Sequence, residues 1–513
     1  MLISIKNEIK DYLKDYKINV YILTIYLSFV FFSQIFIRLD NVVSIVLLSL
    51  VSFIIAFFIS LLSSFLLYKF KNKNLITYDK DAKFNYKWFI ISFIIQFIFG
   101  LIIMHLYYGL LTTNIDPTNV AYDTQSSISQ VINHKYTNWH PYIFTLLYAK
   151  IPFLIKYNDV NFMFIYFIIM RSIAYIYVIT DIYSHTQNKI IFFLLLIFYT
   201  LTPLSIFSTF AVLKDTPCGY FVLLTIYLIF KNFHNKEFYN YKRNIFIGIF
   251  LTLSTIMRHN MIVYSIPIII VLFFLLKYKL KSFLSIFITF IVLLFIINFP
   301  LKSILKVEEP SKETLVEETM GLPVSVISYI AKVKPEALDG EILDFAMKLS
   351  NNDISKFKNY DEKQGYDSIK PEPDFKPYKA NAFINRTRFD FIKYLFNLIL
   401  KEPKLAFNQI FNLTCGVYAL RYRPGEIKNI ISALYLFFSN LEIPICLFLT
   451  LLTMFSLNKL NGFKEYNVSL IFPILIYTFI TMCLLSANGI HRYFLPLQVS
   501  MPIYLLFNLL RKK

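Results

Sequence analysis

The chain has little charge and little cysteine. Only 16% of its 513 residues are Asp, Glu, Lys or Arg, against 57% hydrophobic residues and a mean hydropathy of +0.57, a balance that excludes an ordinary soluble globular domain. Its four cysteines, Cys218, Cys415, Cys446 and Cys483, show neither metal-ligand spacing nor a paired pattern, which excludes a zinc module and a disulfide framework. Three of them fall in or beside apolar runs, where cysteine behaves as a small hydrophobe. No unit of about 20–50 residues repeats along the chain. The Lys-rich start runs into a full-length apolar stretch with no small-residue cleavage site, so a cleavable signal peptide is not expected.

What is present is hydrocarbon-soluble helix. Apolar runs of about 18 or more residues recur, each long enough to cross a bilayer core of about 30 Å. In such a run only regular helix satisfies its own backbone without water. The expected fold class is therefore an all-α polytopic membrane protein with about twelve transmembrane helices, juxtamembrane helices and a large extracytoplasmic loop. The net charge of +19 is topogenic rather than a nucleic-acid footprint. With the N-terminus placed in the cytoplasm, 23 Lys and Arg fall on the inner short segments. Seven fall on the outer ones: Arg38, Lys135, Lys150, Lys156, Lys214, Arg258 and Arg492. Both termini are then cytoplasmic, the protein resides in the cell membrane, and no nucleic-acid partner is expected.

Five regions follow: N-terminal spans over 1–111, a first outer loop over 112–159, a core of spans over 160–300, an outer region over 301–426 and C-terminal spans over 427–513. The piece Pro141–Ile155 is short for a crossing and is expected to lie along the outer surface as an amphipathic segment. Region 301–426 is too polar to span and nearly balanced, with 19 basic and 18 acidic residues. Within it Phe389–Leu420 is apolar and aromatic but broken by Glu402-Pro403, and reads as interfacial helix.

Unusual polar residues collect at the outer boundary. Asp116, Asp123, Gln125 and His140 lie in the first loop, Lys214-Asp215 in a short turn, Arg258-His259-Asn260 in another, and His491-Arg492-Tyr493 in the last. The bilayer forces these distant segments to one depth. Carboxylates mixed with Lys, Arg and His there suit a lipid phosphate and a reacting hydroxyl. Each turn also has a plain reading: Asp116 as a turn residue before Pro117, Asp123 as a helix cap, Arg258 and Lys214 as headgroup contacts. Arg171 and Glu442 fall within spans, where charge is costly, and are candidates to pair with each other. Glu317, Glu318 and the pairs Arg386/Arg388 and Arg421/Arg423 are further candidates for contacts to donor or acceptor.

This ordered pattern resembles the GT-C class of integral membrane glycosyltransferases. The shared features are the first-loop acids Asp116 and Asp123, the His140-Pro141 corner, a many-span core, a large outer insertion and a closing Arg492-Tyr493 element. Bacterial relatives with a Lys-Asp turn, an Arg-His-Asn turn and a Glu-Glu stretch ending in Gly-x-Pro are the most similar. Those features appear here as Lys214-Asp215, Arg258-His259-Asn260 and Glu317 to Pro323. The adjacent pair of acids common in the class is absent, since Asp116 and Asp123 stand seven residues apart. The spans before residue 88 also exceed the usual single one.

The resemblance implies inverting sugar transfer from a polyprenyl-phosphate donor to a cell-envelope glycan acceptor on the outer leaflet. Asp123 is the expected base, with Asp116 second. Lys214, Arg258 and Arg492 are expected at the phosphate. Gln125, His140, Asp215, His259, Asn260, Glu317, Glu318 and Tyr493 complete the expected substrate contacts. No cofactor is expected, although Asp116 and Asp123 together could hold a divalent cation. An alternative is a glycan polymerase or ligase of the O-antigen polymerase type, which would lean on loop Arg and His residues instead of a first-loop Asp. A transporter ranks third, for want of repeats and a midplane acid pair.

Overall fold

The computed structural model describes residues 2–38, 42–72, 76–110, 115–116, 120, 122–156, 159–362, 365–370, 372, 375, 377–414, 430–456, 466–481 and 490–512. The chain is all-α. Before the first loop come α1 (Leu2–Arg38), α2 (Val42–Asn72) and α3 (Tyr86–Tyr108). The first loop holds α4 (Tyr122–Ile132) and α5 (Tyr142–Ile155), the latter carrying a π-helical turn at Leu146–Lys150. There follow α6 (Val160–Thr186), α7 (Lys189–Leu201), α8 (Pro203–Phe210), α9 (Asp215–Asn235), α10 (Tyr241–Met257), α11 (Ile262–Leu275) and α12 (Leu280–Ile304).

Region 301–426 contributes α13 (Lys312–Thr319), α14 (Gly321–Val333), α15 (Gly340–Leu349), α16 (Arg388–Lys401) and α17 (Pro403–Thr414). The chain closes with α18 (Ile430–Ser456), α19 (Tyr466–Ile480) and α20 (Ile490–Leu509).

Six described helices are long and apolar enough to cross a membrane, and α7 with α8, bent by 53°, would make a seventh. Shorter apolar helices among the described residues include α5, α11, α14 and parts of α18, α19 and α20. Of these, α11, α18, α19 and α20 carry internal prolines, each removing a backbone hydrogen bond.

Asparagine side chains start three of the helices at one end of the bundle. Asn85, Asn188 and Asn240 accept hydrogen bonds from Trp88, Ile191 and Arg243 backbone N–H groups, satisfying donors that the first turn leaves open. At that end β1 (Thr77–Tyr78) pairs in parallel with β2 (Arg511–Lys512), and Asp79 N–H donates to the His185 carbonyl at 2.8 Å. Close approach of helices needs small residues. A Cβ on Gly248 of α10 would stand 2.8 Å from the Ile286 carbonyl oxygen and 2.7 Å from Thr289 Cβ on α12, so only glycine permits this contact.

Two main cores result. One joins the spanning helices with α5; the other lies wholly within 316–406, centred on Ile327, Phe345, Phe383 and Phe391. The segment Pro141–Ile155, expected along the outer surface, packs closely against the bundle: Tyr142, Ile143, Phe144, Thr145, Tyr148 and Phe153 are buried, and Leu154 and Ile155 are exposed at its end.

Candidate functional site

The first loop is pinned before it presents any chemistry. Thr124 donates its hydroxyl to the Val212 carbonyl, fastening α4 to the segment that leads into α9. Asn138 N–H donates to the Glu308 carbonyl at 2.8 Å, and Glu308 N–H to that of Tyr136 at 2.9 Å, tying the loop to the chain after α12. Gln125 donates to the Val120 carbonyl at 2.8 Å, so its amide braces the turn before α4.

Three side chains from three segments then meet. Asp123 sits in the first turn of α4, where the helix dipole favours a negative charge. Lys214 Nζ stands 3.6 Å from Asp123 Oδ2 and 3.0 Å from His140 Nδ1. A lysine ammonium can only donate, so in this contact His140 Nδ1 accepts, and His140 Nε2 faces Asp123 Oδ1 at 3.9 Å. His140 is buried, and Asp123 and Lys214 are nearly so.

Beside this trio lies a second, tighter group. The buried Arg258 donates to the buried Asp215 carboxylate, and its Nε donates to Asn260 Oδ1 at 3.2 Å. Its guanidinium lies 4.0 Å from the Tyr493 ring centroid. Arg258 itself is extended (φ −146°, ψ 123°), which ends α10 and lets the chain turn through His259–Met261. His259 donates from Nε2 to the Asn138 carbonyl at 3.0 Å. Desolvation holds its pKa below the ordinary histidine value, opposed by that hydrogen bond and assisted by the neighbouring Lys214, Arg258 and Lys302.

Next to His259 a cleft of about 310 Å³ opens among α5, α10, α11 and α12. Its polar end carries Asn138, His259 and Asn298, while Ile256, Ile262 and Leu294 line the rest.

The structure therefore brings together Asp123, His140, Lys214, Asp215, Arg258, His259, Asn260 and Tyr493. Arg258, expected at the phosphate, directs hydrogen bonds to Asp215 and Asn260. Asp116 is exposed, and the adjoining Ile115 N–H donates to Asn161. Glu317 is buried in the body formed by region 301–426, accepting from the Tyr366 hydroxyl at 3.1 Å. Arg386 bonds Asp344 and Tyr394, and Arg388 bonds Thr319. The side chains of Glu318 and Arg492, and all of Arg421 and Arg423, lie outside the described residues.

Arg171 and Glu442 were expected as a pair, and instead they hold one helix break from opposite ends. Arg171 Nη2 donates to the carbonyls of Tyr199, in the last turn of α7, and Ser205, at distances of 3.2 and 2.9 Å. Glu442 Oε2 accepts from Leu204 N–H, in the first turn of α8, at 2.8 Å, and Gln498 donates to Oε1 at 2.8 Å. The Glu442 carboxylate meets the Leu204 N–H at the start of α8, as the helix dipole prefers. Arg171 shares the Tyr199 carbonyl with Gln96 and the Ser205 carbonyl with the Ser208 and Thr209 hydroxyls. Arg171 also donates to Ser208 Oγ, and Thr216 of α9 donates to the Ser208 carbonyl. The break thereby reaches the turn that bears Lys214.

Comparison of the chain with protein-family models, with curated proteins and with solved structures finds no match. The chemistry has to be read from the side chains.

Several residues escaped the sequence reading. Thr124, Asn138 and Glu308 fix the loop through backbone contacts, which no motif announces. Asn138 at least adjoins the Trp139-His140-Pro141 corner that sequence singles out.

Proposed function

We propose that the protein is a membrane glycosyltransferase that moves a sugar from a polyprenyl-phosphate donor to a cell-envelope glycan acceptor at the extracytoplasmic face. In this reading about twelve helices cross the cell membrane and both termini are cytoplasmic. The observation that carries it is the Asp123–Lys214–His140 trio at the mouth of the spanning bundle.

The chemistry follows from what each group can hold. The Asp123 carboxylate accepts the acceptor hydroxyl's proton as the oxygen attacks the sugar carbon. The bond from that carbon to the phosphate oxygen breaks, and the leaving phosphate gains negative charge. Lys214 meets that charge with its ammonium. Before the donor arrives, Lys214 is shared between Asp123 and His140, and a phosphate competes with Asp123 for its ammonium. His140, buried against Lys214, keeps the ammonium aimed. The half-apolar cleft beside His259 suits a ligand with a polar head and a hydrocarbon chain.

Binding of polyprenyl monophosphate to the protein in lipid nanodiscs tests the assignment. Losing a charge-assisted contact worth about 1.5–3 kcal/mol predicts roughly 10- to 100-fold weaker binding for Lys214→Met. Asp123→Asn, which removes the competing charge, should bind at least as tightly as wild type. Unchanged binding in Lys214→Met would remove Lys214 from the phosphate site.

A further inference from the structure

Helix α16 has two apolar faces, and folding uses only one. Phe391, Tyr394 and Leu398 are buried in the core of the outer body. On the opposite side Phe389, Phe396 and Leu400 are 81%, 62% and 82% exposed, with Ile392 at 42%. At 3.6 residues per turn these four fall within an arc of about 80°, roughly opposite the buried face. A soluble body would place polar residues there, because contiguous exposed apolar stripes mark interaction sites.

Two further observations identify the occupant. The first is height. After the break at Glu402-Pro403 the chain enters α17, which packs on α1, with the Phe411 ring 6.0 Å from that of Phe29. Phe29 belongs to the apolar stretch Asn7–Phe32, one of the six helices able to cross a membrane. The helix next to α16 thus rests against a spanning segment near its end. The second is charge. Arg388, Lys393, Lys401 and Lys404 are exposed on α16 and α17. Lys401 pairs with Asp339 at 2.8 Å, while Asp390 caps Thr387 and Glu402 holds Lys334, so the stripe is flanked by more basic than acidic groups. An apolar stripe flanked by basic residues has the composition of a helix lying in a bilayer interface rich in anionic headgroups.

We propose that α16 seats the outer body on the bilayer, with Phe389, Ile392, Phe396 and Leu400 among the lipid chains and the flanking basic residues at anionic headgroups. The outer body is then held at a fixed height above the spanning bundle by lipid as well as by α1. This seat is independent of the chemistry proposed for Asp123 and Lys214.

Site-directed nitroxide labelling tests it on the full chain, in a background where Cys415 and Cys483 are replaced by Ser and the buried Cys218 and Cys446 are retained. Labels are placed singly at Phe396→Cys and Asn397→Cys, the latter an exposed position off the stripe. The protein is reconstituted in vesicles of phosphatidylcholine with phosphatidylglycerol, and collisions with dioxygen and with a water-soluble nickel chelate are compared. The seat predicts that the Phe396→Cys label meets dioxygen more than nickel and that the ratio inverts at Asn397→Cys. It also predicts a smaller contrast in phosphatidylcholine alone. Equal nickel access at both positions would put the stripe in water and overturn the proposal. Shielding of the Phe396→Cys label from both reagents would also overturn it, showing a protein occupant such as a second copy. A contrast unchanged without phosphatidylglycerol would overturn the role given to the basic flank.

Discussion

Replacing Arg258 should damage the fold before it damages any reaction. Its guanidinium is buried, bonded to the buried Asp215, bonded again to Asn260 and stacked on Tyr493. In Arg258→Met the Asp215 carboxylate loses its cation while remaining inside the protein. Breaking one side of such a pair costs about 3–5 kcal/mol. Asp215→Leu should cost a similar amount, since it leaves the guanidinium unpaired. The double variant removes both charges, so its loss should fall well short of the sum, with a coupling of at least about 1 kcal/mol. Denaturant titration of the purified protein in mixed micelles measures all three, with thermal midpoints as a check. Lys214→Met, at a partly accessible site where His140 remains beside Asp123, should cost less than either single variant. An Arg258→Met protein as stable as wild type would refute the reasoning.

Other outcomes follow from particular contacts. His259 titrates below its ordinary value in the folded protein, so between that lowered value and about 6.5 the unfolded chain binds more protons. Stability should therefore be complete above that window, fall as pH drops through it and level off below, a loss that His259→Gln should lack in pH-dependent unfolding. With Gln498 still bonded to the Thr202 and Ser205 hydroxyls, Glu442→Leu strands the Leu204 N–H at the helix break and should cost about 1–3 kcal/mol, whereas Glu442→Gln keeps an acceptor and should cost less by the same titration. Gly248→Ala should lower the thermal midpoint by a destabilisation of about 1–3 kcal/mol, because α10 and α12 must separate around the new methyl.

Much of the architecture was legible because bilayer chemistry is restrictive. Long apolar runs have to be helices, and the turns between them have to stack at the bundle's ends. That alone predicted that Asp123, His140, Lys214 and Arg258 would share one depth, and the structure brings them within contact of each other or of each other's partners. Depth does not choose partners. Lys214 and Arg258 look equivalent in sequence, yet one faces Asp123 and the other bonds Asp215, a distinction set by which helix ends abut. Arg171 and Glu442 misled for a related reason. Opposite charges in spans suggest a pair, while the backbone carbonyls and the Leu204 N–H around a broken helix compete for both and win. The close packing of α5 against the bundle was not legible because its shortness was weighed above its apolar content. Glu317 sits beside recognisable neighbours in sequence, but region 301–426 folds around its own core and takes that carboxylate with it.

The central claim is that Asp123 is the base of a sugar transfer. The most direct measurement is mass spectrometry of envelope glycans from three strains: one lacking the chain, one restored with wild type, and one restored with Asp123→Asn at matched membrane abundance. The amide keeps the size and polarity of the side chain and removes its basicity. The account predicts that one sugar substituent disappears in the first strain, returns in the second and stays absent in the third. Its full return with Asp123→Asn would contradict the account, moving the base to Asp116 or, if Asp116→Asn also restores it, favouring a polymerase that works through loop Arg and His residues.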